Sequence, residues 1–257
     1  MTPGAAVAGG APRMAPTPWI GLGLYAGYLA IFYATWAVNG VDYLSIGRTA
    51  ESAKLHYALP TLFGSAFVAL ALTWLGWWRI TLFDRDRQGP AWAWAGAAVM
   101  LALSLASLAR LRPEGATAEL VLWSVLGGVG VGFGEEMITR GALLVGLRSR
   151  CTERRAWLLS TLAFSALHAP NGLFGLPWSM VPGQLLLTCI VGSLLYACRR
   201  LSGTLLLPMF LHGLWDSAVF LPGATGAGPF FLSLALYPVA IVCAVAVLRQ
   251  GRQAGTA

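Results

Sequence analysis

The chain has 257 residues, of which 57% are hydrophobic and only 11% are charged. Soluble domains carry about 25% charged residues, so this composition excludes an ordinary soluble domain and points to an integral membrane protein. The formal charge of +7 does not mark a nucleic-acid binder, because the arginines form no long basic stripe. They sit in short clusters between apolar runs, which is how topology signals look.

Residues 1–18 are rich in Ala, Pro and Gly and hold no apolar stretch of signal-peptide quality. They read as a disordered cytoplasmic tail. A membrane span needs about 20 apolar residues. In chain order the candidates are Trp19–Val38, Leu59–Trp78, Ala91–Leu108, Leu120–Leu147, Ala156–His168, Met180–Cys198, Thr204–Leu221 and Phe230–Leu248. The predicted fold is therefore all-α: a polytopic transmembrane helical bundle of about eight membrane segments. It forms a single embedded domain over 19–250, with a short tail at 251–257. No internal repeat and no separate soluble domain stands out.

Arg13 precedes the first segment. Arg79, Arg85 and Arg87 follow the second, and Arg148, Arg150, Arg154 and Arg155 follow the fourth. Arg199 and Arg200 follow the sixth, and Arg249 and Arg252 follow the eighth. With alternating segments these all fall on one side, so the positive-inside rule puts both termini in the cytoplasm of a multi-pass cell-membrane protein. Arg110 and Arg112 are exceptions, partly offset by Glu114 and Glu119. The tryptophans of "TWLGWW" and "AWAW" read as interfacial anchors. Cys151, Cys189, Cys198 and Cys243 have neither CxxC nor Cys/His zinc spacing, and the three in apolar runs read as packing residues.

Two segments depart from the simple pattern. Leu120–Leu147 is too long for one perpendicular span and carries "GFGEEMITRG" in its middle. Its glycines offer places to tilt or kink. Ala156–His168 is too short to cross: its helix rises about 20 Å and ends within the bilayer at His168, before Ala169-Pro170. The following "NGLFGLPWSM" then runs at membrane depth without a helix. Such backbone is tolerated where protein or a water-filled cavity covers it.

The ionisable residues well inside apolar segments are Glu135, Glu136, Arg140, His168, His212 and Asp216. A charge at mid-membrane costs about 2.5–3.5 kcal/mol on insertion scales, so these side chains should face one another. Glu136 and Arg140 are four apart and stack on one helical face. His212 and Asp216 repeat that spacing, as do Phe164 and His168. Taken singly, each has a plain reading: a structural ion pair for Glu136 and Arg140, satisfied packing for each histidine, packing for Phe164, a loop position for His56. Glu135 is harder to dismiss, because Glu136 already supplies a partner for Arg140. A spare carboxylate in a low-dielectric site suits general acid–base work.

With these residues in place, the chain resembles the CPBP family, the CAAX-protease and bacteriocin-processing intramembrane endopeptidases. The family's EExxxR, FxxxH and HxxxN/D motifs stand here as Glu135-Glu136-Met-Ile-Thr-Arg140, Phe164-Ser-Ala-Leu-His168 and His212-Gly-Leu-Trp-Asp216, within about residues 119–220. The resemblance implies a helical bundle with a catalytic chamber in the membrane, open towards the cytosolic side, and peptide-bond hydrolysis. By motif match Glu135 and His168 would activate water, His212 and Asp216 would stabilise the oxyanion, and Glu136 and Arg140 would hold the geometry. Many members carry Asn at the last position. Ionised Asp cannot donate to an oxyanion, so either Asp216 is protonated or it orients His212 and keeps it cationic, the reading favoured here.

No cofactor is favoured. The alternative is a three-ligand zinc site built from Glu135, His168 and His212, although no HExxH is present. The implied partners are membrane lipid and a peptide or protein with a membrane-associated tail: CAAX-like, bacteriocin-type or a C-terminal sorting signal. Nucleic acid is not among them. Two other functions fit the same residues: a proton-coupled transporter, since intramembrane Glu, Asp, Arg and His also build proton relays, or a non-catalytic scaffold or immunity protein.

Overall fold

The computed structural model describes residues 11–84 and 86–253. Residues 1–10 of the expected tail, residues 254–257, Arg85 and the side chains of Arg252 and Gln253 lie outside the described part. Among the described residues there is no strand, only an isolated antiparallel bridge between Phe83 and Thr204. The helices are α1 (Pro18–Asn39), α2 (Ala50–Leu75), α3 (Trp78–Leu82), α4 (Ala91–Leu108), α5 (Ala118–Arg148), α6 (Glu153–Ala166), α7 (Val181–Ser202), α8 (Leu206–Ala224) and α9 (Leu236–Gln253). Local sequence sets their ends. Thr17, Thr49 and Thr117 accept backbone N–H bonds that cap α1, α2 and α5. Gly40, Gly76 and Gly203 end α1, α2 and α7 with positive φ.

Among the described residues, six helices are long and apolar enough to cross a membrane: α1, α2, α4, α5, α7 and Phe231–Gln250, which includes most of α9. The other two expected segments correspond to α6 and α8, which carry Phe164 and the His212 motif. α6, with 14 residues, is too short to cross, and α8, with 19, is made less apolar by His212 and Asp216. The second segment starts earlier than expected. His56 therefore stands inside α2, in a π-helical stretch over Ala53–Ala58, and not in a loop. Residues 11–17, read as tail, dock on the bundle: Arg13 N–H donates to the Leu75 carbonyl at 2.9 Å, and Trp77 Nε1–H donates to the Met14 carbonyl at 2.8 Å. Trp77 is thus fully buried, unlike its expected role as an interfacial anchor, whereas Trp74 and Trp92 are exposed.

The long fourth segment runs as one helix, and its irregularity is a π-helical stretch at Met137–Leu143, immediately after the two glutamates. Its glycines have another use than bending. A Cβ on Gly128 would lie 2.6 Å from the Gly213 carbonyl oxygen, and one on Gly132 would lie 3.0 Å from the Gly213 nitrogen. Small residues let two backbones approach closely in a membrane, and here they bring α5 against α8 at the level of His212.

The two faces of the bundle are chemically distinct. At one, Asp84 Oδ1 accepts from Arg148 Nη1 at 2.8 Å and from Arg199 Nη2 at 2.7 Å, and Oδ2 accepts from Arg200 Nη1 at 2.7 Å. Glu153 Oε1 accepts from Arg148 Nη2 and from the Tyr196 hydroxyl, both at 2.5 Å. Burial pushes the Asp84 carboxyl up, but the Arg199 charge and the bonds and charge of Arg148 outweigh it and hold the group well below the usual carboxylate range. Glu153 is lowered in the same way: burial raises it, and the Arg148 bond and charge bring it down further. At the opposite face the Arg112 N–H donates to Thr225 Oγ1 at 3.1 Å, and Arg110 donates to the Gly228 carbonyl at 2.5 Å. The two arginines that broke the charge pattern thus stand with the loop that follows α8.

Candidate active site

The expected residues converge from α5, the end of α6, and α8. Arg140 Nη1 donates to Glu136 Oε1 at 2.7 Å, and both side chains are fully buried. The same oxygen accepts from His212 Nδ1 at 2.9 Å, across the α5–α8 seam. Glu136 is therefore shared between two motifs. Asp216 Oδ1 stands 4.0 Å from His212 Nε2, beyond hydrogen-bond reach. The carboxylate that hydrogen-bonds His212 is Glu136, where sequence spacing pointed to Asp216.

Phe164 joins the third motif to the other two. Its ring meets His168 edge-on at a centroid distance of 5.4 Å and His212 at 5.5 Å. The Arg140 guanidinium lies over it at 3.6 Å. Gly192 of α7 makes room for this stack, since a Cβ there would come within 2.8 Å of Phe164 Cδ1. A desolvated cation–π contact of this kind is worth about 2 kcal/mol or more. The aromatic in FxxxH thus spaces two imidazoles and seats the arginine, a wider role than fixing the approach to His168.

His168 follows the end of α6, and a short 3₁₀ stretch continues over Ala169–Phe174. Its Nδ1 lies 3.1 Å from the Phe164 carbonyl. A carbonyl only accepts, so Nδ1 carries hydrogen and Nε2 is left with a lone pair. The non-helical segment after it is held by a polar chain that the motifs did not reveal. The Tyr33 hydroxyl donates to the Leu167 carbonyl and contacts Asn171 Oδ1 at 3.2 Å. Asn171 Nδ2 donates to Gln184 Oε1 at 3.1 Å, and Gln184 Nε2 donates to the Tyr43 hydroxyl at 2.5 Å. Asn171 stands three residues beyond His168, and its polarity in an otherwise apolar stretch was the available signal.

Glu135 is turned away from Glu136, and its backbone carbonyl accepts from Thr139 Oγ1 at 2.5 Å. Its side chain is nearly buried, and Oε2 finds no partner among the described residues. The same holds for Glu136 Oε2 and for Arg140 Nε and Nη2. Buried polar groups are usually satisfied, so this concentration of free bonding capacity is unusual. The cavities lie elsewhere, and one of about 660 Å³ at the arginine face is lined by Asp84, Arg148, Glu153 and Arg200. A second of about 350 Å³ between α4 and α8 is lined by Ser107, Arg110, Trp215 and Phe230. Another of about 450 Å³ is an apolar groove along α5 and α8.

Comparison with known families follows this geometry. Residues 117–218 match the family model of the Rce1-like type II CAAX prenyl endopeptidases. The match encloses all three motifs and agrees with the CPBP family resemblance. No curated protein and no solved structure matches the chain. Over these residues the chain is similar to that endopeptidase family, and its long apolar helices fit a multi-pass membrane protein. Among the described residues, no three His, Cys, Asp or Glu side chains stand together as a metal-ligand set. His212 Nδ1 is committed to Glu136, and His168 Nδ1 to the Phe164 carbonyl.

Proposed function

We propose that the protein is a metal-free intramembrane endopeptidase. It hydrolyses a peptide bond near the membrane in a membrane-associated or C-terminally anchored protein. The observation that carries this reading is Glu135: a nearly buried carboxylate with an unpartnered oxygen, next in sequence to Glu136, which holds Arg140 and His212. Glu135 takes one proton of the attacking water as it adds to the scissile carbonyl, and the His168 Nε2 lone pair accepts a hydrogen bond from the water's other O–H. Such positioned acid–base groups contribute typically 10²–10⁴-fold to rate. His212, held as the imidazolium with its Nδ1–H on Glu136, directs its Nε2–H at the developing oxyanion, where one donor is worth about 10²–10³ in kcat. The proton on Glu135 then passes to the leaving amine. Arg140 holds Glu136 and rests on Phe164 without touching the reacting atoms.

The arginine clusters at the Asp84 face support an orientation with both termini in the cytoplasm of the cell membrane. The test compares membrane-protein termini between a deletion strain complemented with wild-type protein and one complemented with Glu135→Gln. A new terminus in a membrane-anchored protein, present with wild type alone, is the expected result. Solute flux that depends on Glu135 with no cleavage would establish a carrier instead. For the metal question, stoichiometric zinc in the purified protein whose removal abolishes cleavage would overturn the metal-free mechanism.

A further inference from the structure

We propose that the chamber opens on the membrane face opposite the arginine cluster, and that it therefore receives its peptide from the extracytoplasmic side. This reverses the cytosolic opening that the family resemblance implies. The substrate half of the statement rests on the endopeptidase reading and on the basic-side-in orientation; the position of the opening rests on neither.

Each of the three motif helices has a known direction. α8 leaves the arginine face, where the Leu205 N–H donates to the Leu82 carbonyl at 2.8 Å, and ends at Thr225 on the other face. α6 likewise starts at the arginine face, where Glu153 bonds Arg148. α5 runs the opposite way, from Thr117 to Arg148. On every one of them the motif residue nearer the arginine face is sealed and the farther one is more accessible. On α5, Arg140 and Glu136 are 0% exposed, and Glu135, one residue farther out, is 5%. Beyond Phe164 at 2% comes partly exposed His168. Beyond His212 at 4% comes Asp216, whose side chain is 26% exposed.

On the arginine side a cavity of about 660 Å³ reaches Val145, Arg148 and Arg200 but no motif residue, and between it and the motifs the floor is packed. Ala142, Leu143 and Leu144 of α5 are buried, as are Leu194, Ala197 and Cys198 of α7 and Leu205 before α8. Arg199 fills the remaining space, fully buried, by donating to the Arg140 and Thr81 carbonyls and to Asp84. A peptide entering from that face would have to dismantle this packing. At the other end, half-buried Tyr43 and Gln184 stand on the same side as His168 and Asp216 and carry the polar chain to Asn171. A rim of hydroxyl and amide groups suits peptide backbone and water. The substrate class this selects is an exported or outward-facing polypeptide whose scissile bond lies in the outer half of the bilayer, rather than a lipidated tail made and held in the cytosol.

The test is thiol accessibility, which needs no activity and so stands apart from the test of proteolysis. In a background with the four native cysteines replaced by Ala, three single cysteines are introduced: Asp216→Cys in the chamber, Ala169→Cys on its rim and Ser149→Cys at the arginine face. A membrane-impermeant methanethiosulfonate is applied to spheroplasts and to inverted vesicles. Asp216→Cys and Ala169→Cys should react in spheroplasts, and Ser149→Cys only in inverted vesicles. Reaction of Asp216→Cys from the same side as Ser149→Cys would overturn the opening. So would failure of Asp216→Cys to react from either side while Ala169→Cys reacts and proves the fold. If Asp216→Cys reacts opposite to Ser149→Cys but with Ser149→Cys outside, the extracytoplasmic substrate is overturned.

Discussion

Two clusters of buried charge lie in this bundle, and they are built differently. Around Asp84, both oxygens accept arginine N–H bonds, and Arg148, Arg199 and Arg200 share the carboxylate. Glu153 and Tyr196 complete the set. Around Glu135 and Glu136, one carboxylate oxygen serves two cationic donors while two other oxygens and two guanidinium nitrogens have no partner among the described residues. A saturated cluster has nothing left to offer a substrate. An unsaturated one retains bonding capacity at a cost in stability, and such exceptions concentrate where chemistry is done. Saturation separates a clamp from the proposed reaction centre here, although both are made of Asp, Glu and Arg.

The contrast can be broken most forcefully at the reaction centre. Glu135→Gln should lower cleavage by about 10³-fold with little change in thermal midpoint, measured as product formed per mole of folded protein. Glu136→Gln should follow, with a loss of about 10² or more, because it disturbs both Arg140 and His212. Asp216→Asn should cost less than tenfold, since Asp216 lies 4.0 Å from the imidazole; a loss as large as that of Glu136→Gln would reassign the role of holding His212.

At the clamp the expected effects are on stability. Asp84→Ala leaves Arg199 buried without its carboxylate, and breaking a buried pair costs about 3–5 kcal/mol, readable as a lowered thermal or denaturant midpoint. The pH dependence is the smallest effect. Asp84 and Glu153 are lowered in the folded state, so their stabilisation is complete above the unfolded carboxylate pKa of about 4. It is lost as pH falls through the folded values. The midpoint should decline on acidification below about pH 4 in wild type and more gently in Asp84→Asn. An equal decline in both would remove Asp84 from the account.

The sequence made one cluster legible and hid the other. Helical spacing of Glu136–Arg140, Phe164–His168 and His212–Asp216, all inside apolar runs, was enough to expect convergence. Spacing reports only neighbours on one helix, however. It paired His212 with Asp216, whereas the shorter contact comes from Glu136 across a seam made by Gly128, Gly132 and Gly213. The arginines after the second, fourth and sixth segments read as topology signals. Asp84 lies in a loop among these clusters, and nothing local announced that Arg199 would be drawn into the core. The all-helical bundle was legible from hydropathy, but α6 and α8 carry polar motif faces and are not long and apolar enough to stand among the six crossing helices. Trp77 shows the same limit, since a tryptophan near a segment end is an anchor or a core residue according to what packs on it.

The most direct measurement takes Glu135→Gln and Asp84→Asn side by side in one membrane preparation, recording thermal midpoint and cleavage of a substrate identified with the wild-type protein. Glu135→Gln should melt with the wild type and fail to cleave, while Asp84→Asn should melt earlier and still cleave where it remains folded. Cleavage retained by Glu135→Gln would contradict the assignment of the reaction centre outright.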